Sequence, residues 1–391
     1  MWKKLVCLAL CLTLCALPAG AAGLSEGAME EKAPMTLPCV SAMLLEPESG
    51  QIIFEVNADE KRPVASVVKI MTILLTVEAE EAGRLSLTDP VSISENAAGM
   101  GGSQVLLDPG ETQTVDTLLK STIVGSANDA AVALAEHIAG SVPLFVDRMN
   151  ERASQLGMKD TNFETPSGLD GQSHYSTAAD MALLARAALE NPDFRSLCSQ
   201  TSLELCYGNP PYDRWLANHN RLLKEYPGCI GLKTGFTKKA GRCLVSAAER
   251  EGVTLICVTL SDPNDWRDHT ALLDWGFSRV RRTELPGPWT VAVTGGEGES
   301  VTVSPGESPA VCVLEEELPR ITWSVELPPF LYAPVEPGQP VGTARCLLDG
   351  REYAAIPLIA ENAAAAREIP EPSSLWERLC RWIAGIFHKE S

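Results

Sequence analysis

Histidine is scarce in this 391-residue chain. The five present, His137, His174, His219, His269 and His388, are scattered, which leaves little from which to build a zinc site or a Ser-His-Asp triad. No CxxC pair occurs, so the usual thiolate spacing of a structural metal site is missing too. Neither a metal nor a cofactor is expected. Clusters of Lys and Arg are absent and the formal net charge is −19. Both disfavour nucleic acid as a partner, because binding phosphates needs concentrated positive charge. Neither apolar terminal segment reaches the roughly 20 residues that span a bilayer. What is there is an ordinary globular balance, 45% hydrophobic and 21% charged, on a chain long enough for two or three domains.

The first residues, MWKKLVCLALCLTLCALPAGAAG, carry Lys3 and Lys4, an apolar stretch from Leu5 and a small-residue exit at Ala19-Gly20-Ala21. This is the three-part layout of a secretory signal peptide over residues 1–21, so the mature chain is expected to be exported. Leu14 before Cys15 argues against a lipoprotein signal, which wants a small residue there. Of the twelve cysteines, Cys7, Cys11 and Cys15 belong to that leader. The nine others are Cys39, Cys198, Cys206, Cys229, Cys243, Cys257, Cys312, Cys346 and Cys380. Cys243 and Cys257 lie in apolar, strand-like runs and read as buried free thiols.

The pattern along the chain predicts an α+β domain over residues 22–282. CVSAMLLEPESGQIIFEVNADE gives two apolar runs around Glu48-Ser49-Gly50, a β-hairpin. A long helix follows over 66–82, then two helices broken at Gly125-Ser126, and helical periodicity at 143–157 and 176–190. CLVSAAEREGVTLICVTLSD reads as two strands joined at Glu249–Gly252, and HTALLDWGFSRV as a closing helix. Strands at both ends with helices between predict one sheet assembled from both ends of the segment. Residues 283–361 alternate Val and Thr with Gly and Pro, which predicts a small all-β domain. Residues 362–374 read as a linker. Residues 375–391 set Trp376, Leu379, Trp382, Ile383 and Phe387 on one helical face, an amphipathic helix suited to a membrane surface or to docking on the β domain.

One residue stands out in RPVASVVKIMTILLTVEAEEAG. Lys69 sits three residues after Ser66 in a run otherwise rich in Val, Ile, Met and Leu. Positions i and i+3 share a helix face, so hydroxyl and amine can meet. Apolar surroundings oppose the ammonium form, which lets a lysine act as a base. Two further motifs follow in order: Ser126-Ala127-Asn128, opening a helix, and Lys233-Thr234-Gly235 in GCIGLKTGFTKKAGRCL. A competing SxN at Ser94-Glu95-Asn96 is disfavoured by order and spacing. Taken singly, Ser126 is a helix cap, Lys233 a surface residue and Gly235 a turn. In this order they form the SxxK, SxN and KTG set of penicillin-binding proteins and class A β-lactamases.

At these motifs the chain resembles the D-alanyl-D-alanine carboxypeptidases, low-molecular-mass penicillin-binding proteins. NADEKRPVASVVKIMT, SENAAGMGGSQVLLDPGE, GMKDTNFETPSGLDGQSHYSTAADMALLARAAL, NHNRLL and GLKTGFTKKAGRCL all read like blocks of that family, over roughly residues 38–280. The resemblance implies a β-lactamase/transpeptidase-like fold, an antiparallel sheet flanked by helices, followed by a β domain and an amphipathic tail. It also implies roles. Ser66 would attack the carbonyl between the last two D-alanines of a peptidoglycan stem peptide, Lys69 would take its proton, and Ser126 would relay a proton to the leaving D-alanine. Asn128 would bond the substrate amide, and Lys233, Thr234 and Gly235 would line the site of the terminal carboxylate. The N–H groups of Ser66 and Phe236 would form the oxyanion hole. β-Lactams would block Ser66, and the enzyme would sit on the outer face of the cytoplasmic membrane through its C-terminal helix.

A class A β-lactamase would need a glutamate in an E-x-x-L-N motif between SxN and KTG. Residues 129–232 contain none, and Glu164 is followed by TPSG. A DD-endopeptidase acting on crosslinks and an inactive β-lactam-sensing module are the remaining alternatives. Arg267, in DPNDWRDHTALL, reads as a solvated arginine in preference to a second cation of the site.

Overall fold

The computed structural model describes residues 37–367, except 209 and 307–309, together with Trp376 and Leu379. The expected leader (1–21), most of the expected terminal helix (375–391) and Cys380 lie outside the described residues. The chain divides into two compact units, the first running to Arg281 with Cys312–Glu315 added, the second formed by the rest.

The first unit opens with the expected hairpin, β1 (Ser41–Glu46) and β2 (Gln51–Val56). The buried Glu46 carboxylate closes its turn by accepting from the amides of Glu48 and Ser49 at 2.8 and 2.7 Å. A 3-10 turn, Ala65–Val68, leads into α1 (Lys69–Glu81). The predicted helix over 66–82 is therefore a tight turn followed by an α-helix. Helix α1 is buried nearly all round over Lys69–Val77, where Ile70, Met71, Ile73, Leu74 and Val77 pack into the core and only its glutamate-bearing end reaches the surface. A short ladder of β3 (Pro90–Ser92) and β4 (Thr112–Thr114) brackets α2 (Glu95–Ala98). The two predicted helices are α3 (Val115–Ile123) and α4 (Asn128–Ala139), parted at Gly125-Ser126. Next come α5 (Val142–Gln155), α6 (Ala178–Glu190) and α7 (Pro192–Cys198).

The hairpin β5 (Ser202–Tyr207) and β6 (Tyr212–Ala217) and the single turn α8 (Leu222–Glu225) were not anticipated from sequence. Three long strands follow: β7 (Cys229–Thr237), β8 (Gly241–Arg250) and β9 (Val253–Leu260). They join the N-terminal hairpin in a five-stranded antiparallel sheet of order β2-β1-β9-β8-β7, the sheet built from both ends that the sequence predicts. Strand β7, which carries the KTG motif, is its edge. The main apolar core lies between one sheet face and the helices around α1. The other face is covered by α9 (Asp265–Arg279), where Leu272 and Leu273 pack with Leu244, Leu255 and Cys257. Gly276 permits that approach, because a Cβ there would lie 2.7 Å from side chains of Leu255 and Leu44.

Strands β10 (Val280–Glu284) and β13 (Ala310–Leu314) lie where the chain passes between the units. The described part of the second unit is mostly β, with one 3-10 turn at Glu315–Arg320. Its strands β11 (Trp289–Thr294), β12 (Ser300–Pro305), β14 (Ile321–Glu326), β15 (Phe330–Tyr332), β16 (Pro340–Leu348) and β17 (Arg351–Ala360) form one sheet of order β14-β16-β17-β12-β11-β15. Val291, Val301, Val303, Ala344 and Leu358 bury its inner face. The first residues of the expected linker are not free of this sheet. Ala364 pairs with Val335 and Ala366 with Gly296, so residues 362–367 are tied to the β unit by backbone hydrogen bonds.

Candidate active site

Ser66 lies in the 3-10 turn, partly exposed, and Lys69 is the first residue of α1, with no exposed surface. The Lys69 Nζ donates to Ser66 Oγ at 2.9 Å, Asn128 Oδ1 at 2.6 Å and the Ser167 carbonyl at 2.5 Å. That answers why a lysine is tolerated inside an apolar helix: the ammonium form has an acceptor for each of its three N–H groups, and the neutral amine can keep Asn128 and Ser167 with two N–H groups while its lone pair accepts from the Ser66 hydroxyl. Burial, reinforced by Lys233, holds its pKa well below the ordinary lysine value, with Asp129 opposing. A neutral amine thus faces a reachable hydroxyl. The Ser167 carbonyl belongs to the PSGLD segment, pressed so tightly on the turn that a Cβ on Gly168 would fall 2.1 Å from the Ala65 oxygen.

Ser126 occupies the break between α3 and α4 with a left-handed backbone (φ 56°) and is 4% exposed. Asn128 begins α4, and its Nδ2 donates to the Gly101 carbonyl at 2.6 Å. The amide is therefore fixed at both ends, oxygen on Lys69 and nitrogen on the 101–107 loop. Asp129, fully buried, accepts from the amides of Val105 and Leu107 and anchors the same loop. The competing Ser94-Glu95-Asn96 is structural: Ser94 caps α2, and Ser94 and Asn96 both bond Glu136.

On β7, Lys233 is 2% exposed, and burial lowers its pKa to about 7. It is no surface residue. Gly235 has a reason beyond substrate access: a Cβ there would lie 3.0 Å from both the Ser66 nitrogen and the Val64 oxygen. The close approach is to the chain's own backbone. Phe236, next along the edge strand, is 65% exposed.

A cavity of about 270 Å³ opens at Ser66, Ser126, Thr234, Gly235 and Phe236, with Lys69, Asn128 and Lys233 buried behind it. All eight sequence-predicted residues thus meet at one place. Ser103, His219, Arg242, Asp265 and Trp266 complete the walls, and none was singled out from sequence. Burial, then Lys233 and Lys69, pull the His219 imidazole below its usual pKa. Arg267 belongs to the first turn of α9, pairs with Asp268 and has a 71% exposed side chain, away from these walls. Glu164 accepts from Ser173 N within its own loop. The arrangement is that of a nucleophile hydrogen-bonded to a base, beside a polar slot with a cation behind it.

Comparison with known proteins agrees. The sequence profile described as D-alanyl-D-alanine carboxypeptidase matches residues 28–264, and that of the penicillin-binding protein 5 C-terminal domain matches 288–366. The chain is 37% identical over 338 residues to the D-alanyl-D-alanine carboxypeptidase DacF of Bacillus subtilis, covering 84% of this chain and 85% of that one. It is 34% identical over 363 residues to DacC of Escherichia coli, covering 89% and 88%. Among solved structures, penicillin-binding protein 5 of Haemophilus influenzae superposes with a TM-score of 0.66 at 31% identity, over 86% of this chain and all of the other. The carboxypeptidase DacD of Francisella tularensis gives 0.65 at 29%, over 88% and 97%. The profile spans more than half of the chain and relatives align over most of both lengths, so the chain belongs to the D-alanyl-D-alanine carboxypeptidase family of serine peptidases.

Proposed function

We propose that this protein removes the terminal D-alanine from peptidoglycan stem pentapeptides through an acyl-enzyme on Ser66. The observation that carries the reading is the 2.9 Å hydrogen bond between Ser66 Oγ and a fully buried Lys69 whose burial favours the neutral amine. Lys69 takes the hydroxyl proton as Ser66 Oγ bonds to the carbonyl carbon between the two D-alanines. The developing oxyanion is met by the amides of Ser66 and Phe236. The C–N bond then breaks as Ser126 passes a proton to the departing amine and regains one from Lys69, which is neutral again when D-alanine leaves. Water attacks the Ser66 ester while Lys69 takes its proton, and Lys69 returns that proton to Ser66 Oγ as the tetrapeptide is released. Lys233 and Thr234 hold the terminal carboxylate and Asn128 bonds the substrate amide, with Gly235 keeping the strand close to Ser66. β-Lactams, which present a strained amide and a carboxylate, acylate Ser66 and remain there.

On sequence grounds residues 1–21 direct export, and residues 375–391 hold the enzyme on the outer face of the cytoplasmic membrane. A domain limit near residue 282 follows the same reading. Labelling with fluorescent penicillin tests the assignment of Ser66. The wild type is expected to take up one label per chain and Ser66→Ala none, with an unchanged circular dichroism spectrum. Labelling that survives in Ser66→Ala sinks it.

A further inference from the structure

The cavity has an arginine that no motif announces. In the β7–β8 register, Phe236 lies opposite Arg242, Thr234 opposite Leu244 and Gly235 opposite Cys243. Leu244 packs in the cluster beneath α9 and Cys243 in the core around α1. Side chains alternate along a strand, so Thr234, Phe236 and Arg242 share the α9 face of the sheet, while Gly235 turns toward Ser66. Arg242 therefore approaches the cavity from the side on which Thr234 offers its hydroxyl.

The guanidinium is held rigidly. Its Nε and Nη2 donate to Asp265 Oδ2 and Oδ1 at 3.0 and 2.9 Å, and it stacks over the Trp266 ring at 5.3 Å. Asp265 is 2% exposed and its Oδ1 also accepts from Trp266 N, so the clamp is itself fixed. Asp265 takes two of the five guanidinium N–H groups, and the Arg242 side chain stays 41% exposed. The remaining N–H groups form a fork suited to a planar carboxylate. A second cation has a clear use, because burial works against the charge on Lys233, lowering its pKa to about 7, whereas an arginine is charged throughout.

We infer that Arg242, oriented by Asp265 and Trp266, reads the carboxylate of the substrate's leaving group from the sheet face opposite Lys233, and so sets the preference for a free C-terminus. This rests on the carboxypeptidase reading above. Arg242 is a substrate-binding residue here and Asp265 a positioning residue.

The test uses two reactive thioesters of an N-acyl-D-alanine, whose leaving thiol is mercaptoacetate or its neutral amide, with the full-length enzyme and Arg242→Gln, Arg242→Lys and Asp265→Asn. The expected result is that Arg242→Gln lowers kcat/KM for the carboxylate thioester by roughly ten- to a hundredfold, mostly through KM, and leaves the neutral thioester within about twofold. Arg242→Lys should recover part of the loss, and Asp265→Asn should raise KM for the carboxylate thioester alone. The circular dichroism spectrum and melting temperature of each variant certify that it is folded. Equal losses on both thioesters, or none on either, overturn the inference while leaving the carboxypeptidase reading intact. A wild-type enzyme that turns over neither thioester overturns both.

Discussion

Asn128 and Ser66 are joined through a single atom. The Lys69 Nζ lies 2.6 Å from Asn128 Oδ1 and 2.9 Å from Ser66 Oγ, so residues 62 positions apart in sequence meet at one nitrogen. The same amine ties down Ser167, which brings two distant segments onto the head of α1. A lysine in this position organises the site as well as serving it.

Replacing Lys69 by Met should therefore separate the two roles. The acylation rate with fluorescent penicillin is expected to fall by about 10²- to 10⁴-fold, the usual worth of a positioned base. Asn128 Oδ1 and the Ser167 carbonyl lose a donor, at about 1–3 kcal/mol each, against which the apolar replacement recovers packing. Thermal unfolding should thus change modestly while acylation collapses. Unchanged acylation would exclude Lys69 as the base.

Lys233 makes stability depend on pH in a defined window. Its folded pKa of about 7 lies below the ordinary lysine value of 10.5, so between these values the unfolded chain holds a proton that the folded protein lacks. Stability contributed by this group therefore rises with pH from about 7 to 10.5, by at most about 1.4 kcal/mol per unit, and is flat below 7. In denaturant titrations at pH 6, 8 and 10, the stability of wild type relative to Lys233→Met should climb across that range. A constant difference would show that Lys233 is not held against its charge.

Gly235→Ala sets a methyl group 3.0 Å from the Ser66 nitrogen and the Val64 oxygen. Backbone cannot retreat cheaply, so a cost of about 1–3 kcal/mol is expected, with acylation slowed more than stability alone accounts for, since the obstruction falls on the Ser66 amide. Melting temperature and penicillin acylation measured together check this. Normal acylation in the variant would contradict the packing described.

Asp129→Ala removes the acceptor for the Val105 and Leu107 amides. Hydrogen exchange at those two amides should accelerate, and because Ser103 of the same loop lines the cavity, KM should rise with it. Exchange unchanged at both amides would show that another contact carries the loop.

The three motifs were legible because each pairs a reactive side chain with a fixed local geometry: a turn into a helix for Ser66 and Lys69, a helix start for Asn128, an edge strand for Lys233. Periodicity likewise revealed α1, α3 to α6 and the sheet drawn from both ends of the segment. The cavity walls were not legible. Arg242 and Asp265 are 23 residues apart and meet only because β8 runs beside α9, and nothing in AGRCLVSAA separates Arg242 from a solvated strand residue. His219 and Ser103 lay inside quoted blocks, yet their entry into the site depends on long-range packing. Gly235 was expected among the residues lining the carboxylate site, and its close approach to the Ser66 and Val64 backbone could be seen only in the fold. The residues after 361 look like a linker by composition, yet backbone pairing extends the β unit to Arg367.

The central claim is tested most directly by D-alanine release from a synthetic peptide ending in Lys-D-Ala-D-Ala, with wild type, wild type pretreated with penicillin, and Ser66→Ala. The account predicts one D-alanine per peptide from the untreated enzyme and none from the other two. Release that persists after penicillin or in Ser66→Ala, or none from the untreated enzyme while penicillin still labels Ser66, would contradict it.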